Sequence, residues 1–192
     1  MIQEKLNKVL ERHLHWLRED CDGWENMRAV LDGKNLNRLN LNGALLDGAS
    51  LVEASLDHAS LAGASLNGAS LNGASLNGVT NFPFIPFACP DTGSFIGWKK
   101  AHGKIIKLEI PADAKRCSAT SNKCRCDKAK VLEIQEIDGS ISDITKISSD
   151  YDITFIYEVG KTVSVKDFCE DRFKECGKGI HFFINRQSAV EY

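Results

Sequence analysis

The sequence predicts a mainly β protein in two parts, a short solenoid under an N-terminal helix and a small α+β domain behind it. Three observations carry this. Leucine recurs at every fifth position from Leu31 to Leu76, the chain beyond Val79 changes to short β-rich runs separated by turns, and Met1 to Glu19 has helical periodicity. A five-residue step rotates an α-helix by about 500° and, in a flat strand, throws successive leucines onto opposite faces. A chain that turns a corner once per repeat can point all of them inward, which is the mark of a solenoid.

The helix comes first. Ile2, Leu6, Val9, Leu10, His13, Leu14 and Leu17 form a broad apolar stripe with charges opposite, and Asp22-Gly23 ends it. Solenoids expose an apolar end, so residues 1–28 are expected to cap the first coil and block edge-to-edge association. His13, three residues before Trp16, is read as a partly buried ring packed on an aromatic neighbour rather than as a functional pair.

Within the repeats, Ala44, Ala49, Ala54, Ala59, Ala64, Ala69 and Ala74 each precede a leucine by two positions and fill a second small apolar site. Serine, asparagine and glycine occupy the outward positions, where they favour tight turns over a continuous helix. The block Ala64-Ser65-Leu66-Asn67-Gly68, followed by Ala69-Ser70-Leu71-Asn72-Gly73, resembles the pentapeptide-repeat family. That resemblance implies a right-handed quadrilateral β-helix over residues 29–81, with four repeats per coil and a stacked height of about 12 Å. Some members of that family mimic a DNA duplex and act on topoisomerases. Here Ala29 to Asn81 carries four acids and two bases without an acidic stripe, and about 12 Å falls short of one duplex turn of about 34 Å. DNA mimicry is therefore the least favoured reading.

After Val79 the repeat stops, and residues 82–88 form a prolyl, aromatic connector. Phe82, Phe84, Ile85 and Phe87 would each gain roughly 1.5 to 3 kcal/mol from burial, so the connector is expected to dock the two parts into one fairly rigid body. Residues 89–192 read as the α+β domain. Ser94 to Lys100, Lys104 to Ile110, Lys130 to Ile134, Thr154 to Val159 and Gly179 to Ile184 have strand character, with Ile105-Ile106 marking a doubly buried strand or a bulge. Asn185 is placed to cap a short terminal helix containing Ala189 and Val190. The stretches Gly93 to Lys99, Ala114 to Arg116, Lys123 to Cys126 and Gly179 to Phe183 resemble an uncharacterised domain that follows pentapeptide repeats in phage and bacterial proteins. The resemblance implies a domain boundary and a phage or prophage origin, and no established activity.

The 192 residues, 43% of them apolar, suffice for a real core. No signal-like segment and no run of roughly 18 apolar residues is evident, so cytoplasm is the expected compartment. Seven cysteines in that setting are read as mostly reduced thiols. The net charge of -2 hides an asymmetry, with ten Lys/Arg against four Asp/Glu in Ala88 to Lys130 and seven against twelve thereafter.

The candidate chemistry lies in that basic stretch. Lys115, Arg116, Lys123 and Arg125 surround a short polar segment, and guanidinium forks, hydroxyls and backbone amides suit phosphate or carboxylate oxygens. Trp98 joins them as a stacking surface. His181, alternating with Ile180 and Phe182, is the weak candidate for proton transfer, with no nucleophile motif beside it. Cys117, Cys124 and Cys126 do not match the usual paired zinc knuckles, so no metal and no cofactor is expected. The expected function is non-enzymatic, with the solenoid as a rigid scaffold and the C-terminal domain binding a protein partner or anionic ligand. The alternative is an enzyme acting on a nucleotide or another phosphorylated substrate. Neither the partner nor the oligomeric state follows from the sequence.

Overall fold

The computed structural model describes all residues from Met1 to Tyr192. The chain divides into two compact units, Met1–Pro86 with Ala119–Ser121, and Phe87–Ser118 with Asn122–Tyr192. The protein is mainly β. Its regular sheet is antiparallel and lies in the second unit, while the repeats contain no extended strand and are joined by single-residue parallel bridges.

Those bridges have a fixed offset of twenty residues: Val30 to Ser50 to Ser70, Asn35 to Ser55 to Ser75, Asn40 to Ser60 to Thr80, and Leu45 to Ser65. Four pentapeptides therefore separate each residue from its partner. Every leucine of the five-residue period from Leu31 to Leu71 is buried, Leu76 in the last repeat is half-buried, and the off-period Leu45 is exposed. Two residues beyond each leucine the backbone is left-handed, at Gly33, Gly43, Gly48, Gly63, Gly68, Gly73 and Gly78 and also at Arg38, Glu53 and His58. Glycine recurs there because it adopts that conformation without a steric penalty. The turn closes with a backbone bond such as Ala49 N–H to Leu46 O at 3.0 Å.

The polar positions do more than form turns. The carboxylate or amide oxygen that follows a leucine accepts from a serine eighteen residues on and from a backbone N–H twenty residues on. Asn37 takes Ser55 Oγ at 2.6 Å and Asp57 N–H at 2.9 Å, and Asp57 takes Ser75 Oγ at 2.5 Å and Asn77 N–H at 3.0 Å. The same residue types thus stitch successive coils together.

Helix α1 (Gln3–Arg18) lies against the first coil, with Leu6 and His13 fully buried. The expected stripe is narrower at its start, since Ile2 is the residue preceding the helix and is 59% exposed. The helix serves backbone groups that have no earlier coil to pair with. The Gln3 carboxamide donates to Asn40 O and accepts from Asn40 N–H, both at 2.9 Å, and the Met1 amino group donates to Asn35 O at 2.7 Å. His13 Nδ1 accepts the Ala29 N–H at 3.1 Å while its ring stacks on Trp16. Burial lowers its pKa and keeps it a neutral acceptor. In the connector Ile85 is buried, but Phe84 is 91% exposed, so the expected burial of all four hydrophobes fails at that residue.

The second unit is a seven-stranded antiparallel sheet. In chain order its strands are β1 (Phe95–Ala101), β2 (Lys104–Ile110), β3 (Arg116–Ser118), β4 (Lys123–Cys126), β5 (Lys128–Gln135), β8 (Thr162–Ser164) and β9 (Ile180–Phe183). In space the order is β3-β4-β9-β1-β2-β5-β8, and β6 (Lys146–Ser148) and β7 (Ile156–Glu158) form a separate hairpin. Ile106, Leu108, Val131, Ile180 and Phe182 build the larger core on one face. On the other, Ile105 and Phe183 pack with Ala189 and Val190 of α2 (Arg186–Glu191), whose Asn185 cap accepts the Gln187 N–H at 2.7 Å. Ile105 and Ile106 are thus buried on opposite faces, and the register shift falls two residues later, between Lys107 and Leu108. Gly97 lets β1 approach Phe182, whose ring atom would lie 2.6 Å from any added Cβ.

Candidate anion-binding pocket

The segment Lys115 to Arg125 is not an open basic turn. Its ends form the hairpin β3–β4, with Arg116 opposite Cys126 and Cys117 opposite Arg125. Pairing across the hairpin turns the Arg125 side chain inward, where it is 2% exposed. Its guanidinium donates to Cys117 Sγ at 3.1 Å, Cys169 O at 3.1 Å and Asp171 O at 2.8 Å. Arg116 is equally committed. It donates to Gly93 O at 2.8 Å, Pro111 O at 2.7 Å and Ala112 O at 2.9 Å, and stacks over Phe95. Arg116 thus holds backbone carbonyls through its whole fork, whereas Arg125 engages two carbonyls and a thiol through Nη2 alone and leaves its buried Nε and Nη1 without a hydrogen-bond partner. Both arginines have structural contacts beside the expected ligand-binding role.

The other expected site residues separate as well. Lys115 pairs with Glu170 at the surface. Trp98 packs on the α2 face, with the Lys107 ammonium 5.7 Å and the Arg186 guanidinium 6.0 Å from its ring. Lys123 donates to the Tyr192 hydroxyl at 2.6 Å and lies over the same ring. His181 faces away from Ile180 and Phe182, as its alternation requires, and its Nε2 donates to Glu175 O at 3.0 Å. Cys124 and Cys126 are fully buried in the larger core, where Cys124 hydrogen-bonds with Cys89 and burial raises the thiol of Cys126.

His181 opens instead onto a cavity of about 300 Å³ that it shares with Lys99, Lys100, His102, Asp150, Tyr151, Phe183 and Tyr192. Strand β1 supplies the two lysines, β9 supplies His181 and Phe183, and the β1–β2 turn supplies His102. Lys99 occupies the core-facing register with Phe95, Gly97 and Ala101, whereas Lys100 points to the other face and donates to Val190 O at 2.9 Å. Asp150 accepts from the His102 backbone N–H at 2.8 Å, and its carboxylate is 3.2 Å from the His102 ring.

Charge in this cavity is poorly compensated. The Lys99 ammonium enters none of the ten ion pairs and lies 5.8 Å from the Tyr157 ring centroid. Burial lowers its pKa, Asp150 opposes that shift, and Lys123 adds to it. Burial also lowers His181, with help from Lys123, to about 4. The desolvated Lys99 ammonium and the neutral His181 imidazole beside exposed Tyr151 and Tyr192 suit an anion attached to a planar or apolar group. Sequence reasoning passed over Lys99, although a lysine on the inward register Phe95-Gly97-Lys99-Ala101 of an apolar strand was a legible signal. His102, Asp150 and Tyr151 carried none, because chain folding alone brings them to the end of β1.

Comparison with known families places the cavity. The profile described as "Family of unknown function (DUF5758)" matches residues 85–189, more than half of the chain. The chain belongs to the DUF5758 family. Pentapeptide repeats, in eight copies, match residues 27–61 and 40–78, so the repeats precede the DUF5758 domain. A search of curated proteins found no match. Of the cavity's lining residues, Tyr192 alone lies beyond the matched DUF5758 segment. No helix of the protein is long and apolar enough to cross a membrane.

Proposed function

We propose that this protein is a non-enzymatic binding protein. In this reading the repeats wind as a right-handed quadrilateral β-helix, capped by α1, and serve as a rigid scaffold. The DUF5758 domain takes an anionic ligand, or an anionic group of a protein partner, in the Lys99–His181 cavity. The observation that supports it most is the half-buried Lys99 ammonium without an ion pair, which a bound anion would compensate. The regular ladder of parallel bridges supports the scaffold part, because a stack whose coils each pair with the next resists bending. A proton-transfer role for His181, as the enzyme reading requires, is disfavoured by a pKa near 4, which makes the ring a weak base at neutral pH.

The test is a binding screen of the full chain against inorganic phosphate, pyrophosphate and a set of nucleoside mono- and triphosphates, read by thermal shift and calorimetry. Binding that Lys99→Met weakens about tenfold or more, without product formation, is expected. Equal affinity in wild type and Lys99→Met, or no binding by any of these anions, would remove the cavity from the functional account. Turnover of a bound nucleotide would restore the enzyme reading.

A further inference from the structure

The C-terminal end of α1 holds a second constellation, unrelated to the cavity. The helix stops at Glu19, which takes a left-handed conformation with its N–H on His15 O at 2.8 Å. That turn folds Asp20 and Cys21 back over the last helical turn. His15 Nδ1, an Asp20 carboxylate oxygen and Cys21 Sγ then all lie within 4.8 Å of one another, and His15 Nδ1 is 2.6 Å from Asp20 Oδ1. A fourth donor stands beside them, because Met27 Sδ is 3.9 Å from Cys21 Sγ.

We propose that His15, Asp20 and Cys21 form a binding site for a borderline-soft divalent ion of the zinc class. Nitrogen, carboxylate oxygen and thiolate sulfur are the three donor types zinc takes, at about 2.0–2.3 Å. A tetrahedral ion of that size holds its ligands roughly 3.3–3.8 Å apart. The three donors reach that spacing by opening the 2.6 Å His15–Asp20 contact by about 1 Å and by closing the other separations, none of them above 4.8 Å, by no more than about 1.5 Å. The remaining position is open to water.

The electrostatics favour a cation independently of the ligands. The site lies at the negative end of the α1 macrodipole, where unpaired carbonyls attract positive charge. From Arg18 to Asn26 the chain carries Glu19, Asp20, Asp22 and Glu25 against Arg18 alone. His15 and Asp20 are 49% and 38% exposed and Cys21 is half-buried, so an ion has a path of entry. Binding converts the Cys21 thiol to a metal thiolate and releases its proton to solvent. A bound ion would tie the end of α1 to the segment leading into Ala29, fixing the helix against the first coil.

The three cysteines on which sequence patterning centres the zinc question, and Cys89 beside them, are a poorer choice. Cys89, Cys117, Cys124 and Cys126 are buried, and no three donors among them and their neighbours converge as closely as those at the helix end. The competing explanation for His15 and Asp20 is a plain surface ion pair that clips the helix end.

The test is titration of the reduced full chain with Co²⁺. One equivalent should saturate a near-ultraviolet thiolate-to-cobalt band with tetrahedral visible absorption, and Zn²⁺ should displace it. Cys21→Ser should abolish the band, and His15→Gln should weaken affinity about tenfold or more, with far-ultraviolet circular dichroism unchanged in both. Zinc should also slow alkylation of Cys21, but not of exposed Cys176, when the modified peptides are mapped by mass. Absence of a saturable band, a band that survives Cys21→Ser, or an affinity unmoved by His15→Gln would each overturn the site and leave the ion-pair explanation.

Discussion

Replacing Leu56 by alanine and Asn67 by aspartate separates the two forces that hold the repeats together. Leu56 is 1% exposed and lies one coil from Leu36 and Leu76 in the same inward column. Truncating a buried leucine costs about 2–5 kcal/mol, since its neighbours collapse only partly into the space left. For a unit of this size each kcal/mol lowers the midpoint by about 4–8 °C, so a shift of about 10 °C or more is expected. Leu56→Asp, which also buries an unpaired carboxylate, should abolish the repeat transition. From sequence patterning alone, Asn67→Asp is an outward and nearly neutral change.

The structure revises that second value. Asn67 N–H bonds Asp47 at 2.7 Å, and Asn67 Nδ2 donates to Ser65 Oγ at 3.0 Å. An aspartate there loses the Nδ2 donor and places a second carboxylate one coil from Asp47, at about 4.8 Å. Repulsion between two charges at that distance is about 0.9 kcal/mol in water. The total penalty is about 1–2 kcal/mol, and only its electrostatic part should shrink in 1 M salt. Thermal unfolding of the full chain, followed by circular dichroism at low and high salt, reads both changes. Equal losses for Leu56→Ala and Asn67→Asp, or a salt response in the leucine variant, would refute the assignment of leucine to the core and asparagine to the inter-coil ladder.

Gln3→Ala removes both bonds to Asn40 and should cost about 1–2 kcal/mol in urea unfolding, whereas Gln3→Glu, which keeps the acceptor alone, should fall between. Arg125→Lys should lower stability by about 1–3 kcal/mol without changing anion affinity, because the shorter lysine stem falls short of the sulfur and two carbonyls that Arg125 Nη2 reaches. Burial holds His181 at about 4, so between there and the unfolded value of about 6.5 the unfolded chain binds more protons. Unfolding free energy should therefore rise with pH across that window, with a slope approaching about 1.4 kcal/mol per pH unit from this group, and His181→Gln should flatten it.

The sequence by itself determined the repeat, since a five-residue leucine period has few ways to bury its side chains, and the inward leucines follow from that constraint. It also located α1, most strands of the second unit and the Asn185 cap, because periodicity and capping are local properties carried by neighbouring residues. It did not show that Asn37 and Asp57 would bond serines eighteen residues away, or that Gln3 would replace a missing backbone partner at Asn40. Those depend on the stacking offset.

Tertiary structure decided the site. The residues from Lys115 to Arg125 look like an exposed cationic turn because their charges are adjacent in sequence, yet hairpin register turns Arg125 inward and gives Arg116 carbonyls to hold. Conversely, Lys99, His102, Asp150 and His181 are dispersed along the chain and meet only where β1, β9 and the segment after β6 converge. A guanidinium five donors wide has no fixed destination until its neighbours are placed. Burial and long-range pairing, which local pattern does not encode, determine which cations hold the fold and which, like Lys99, enter no ion pair.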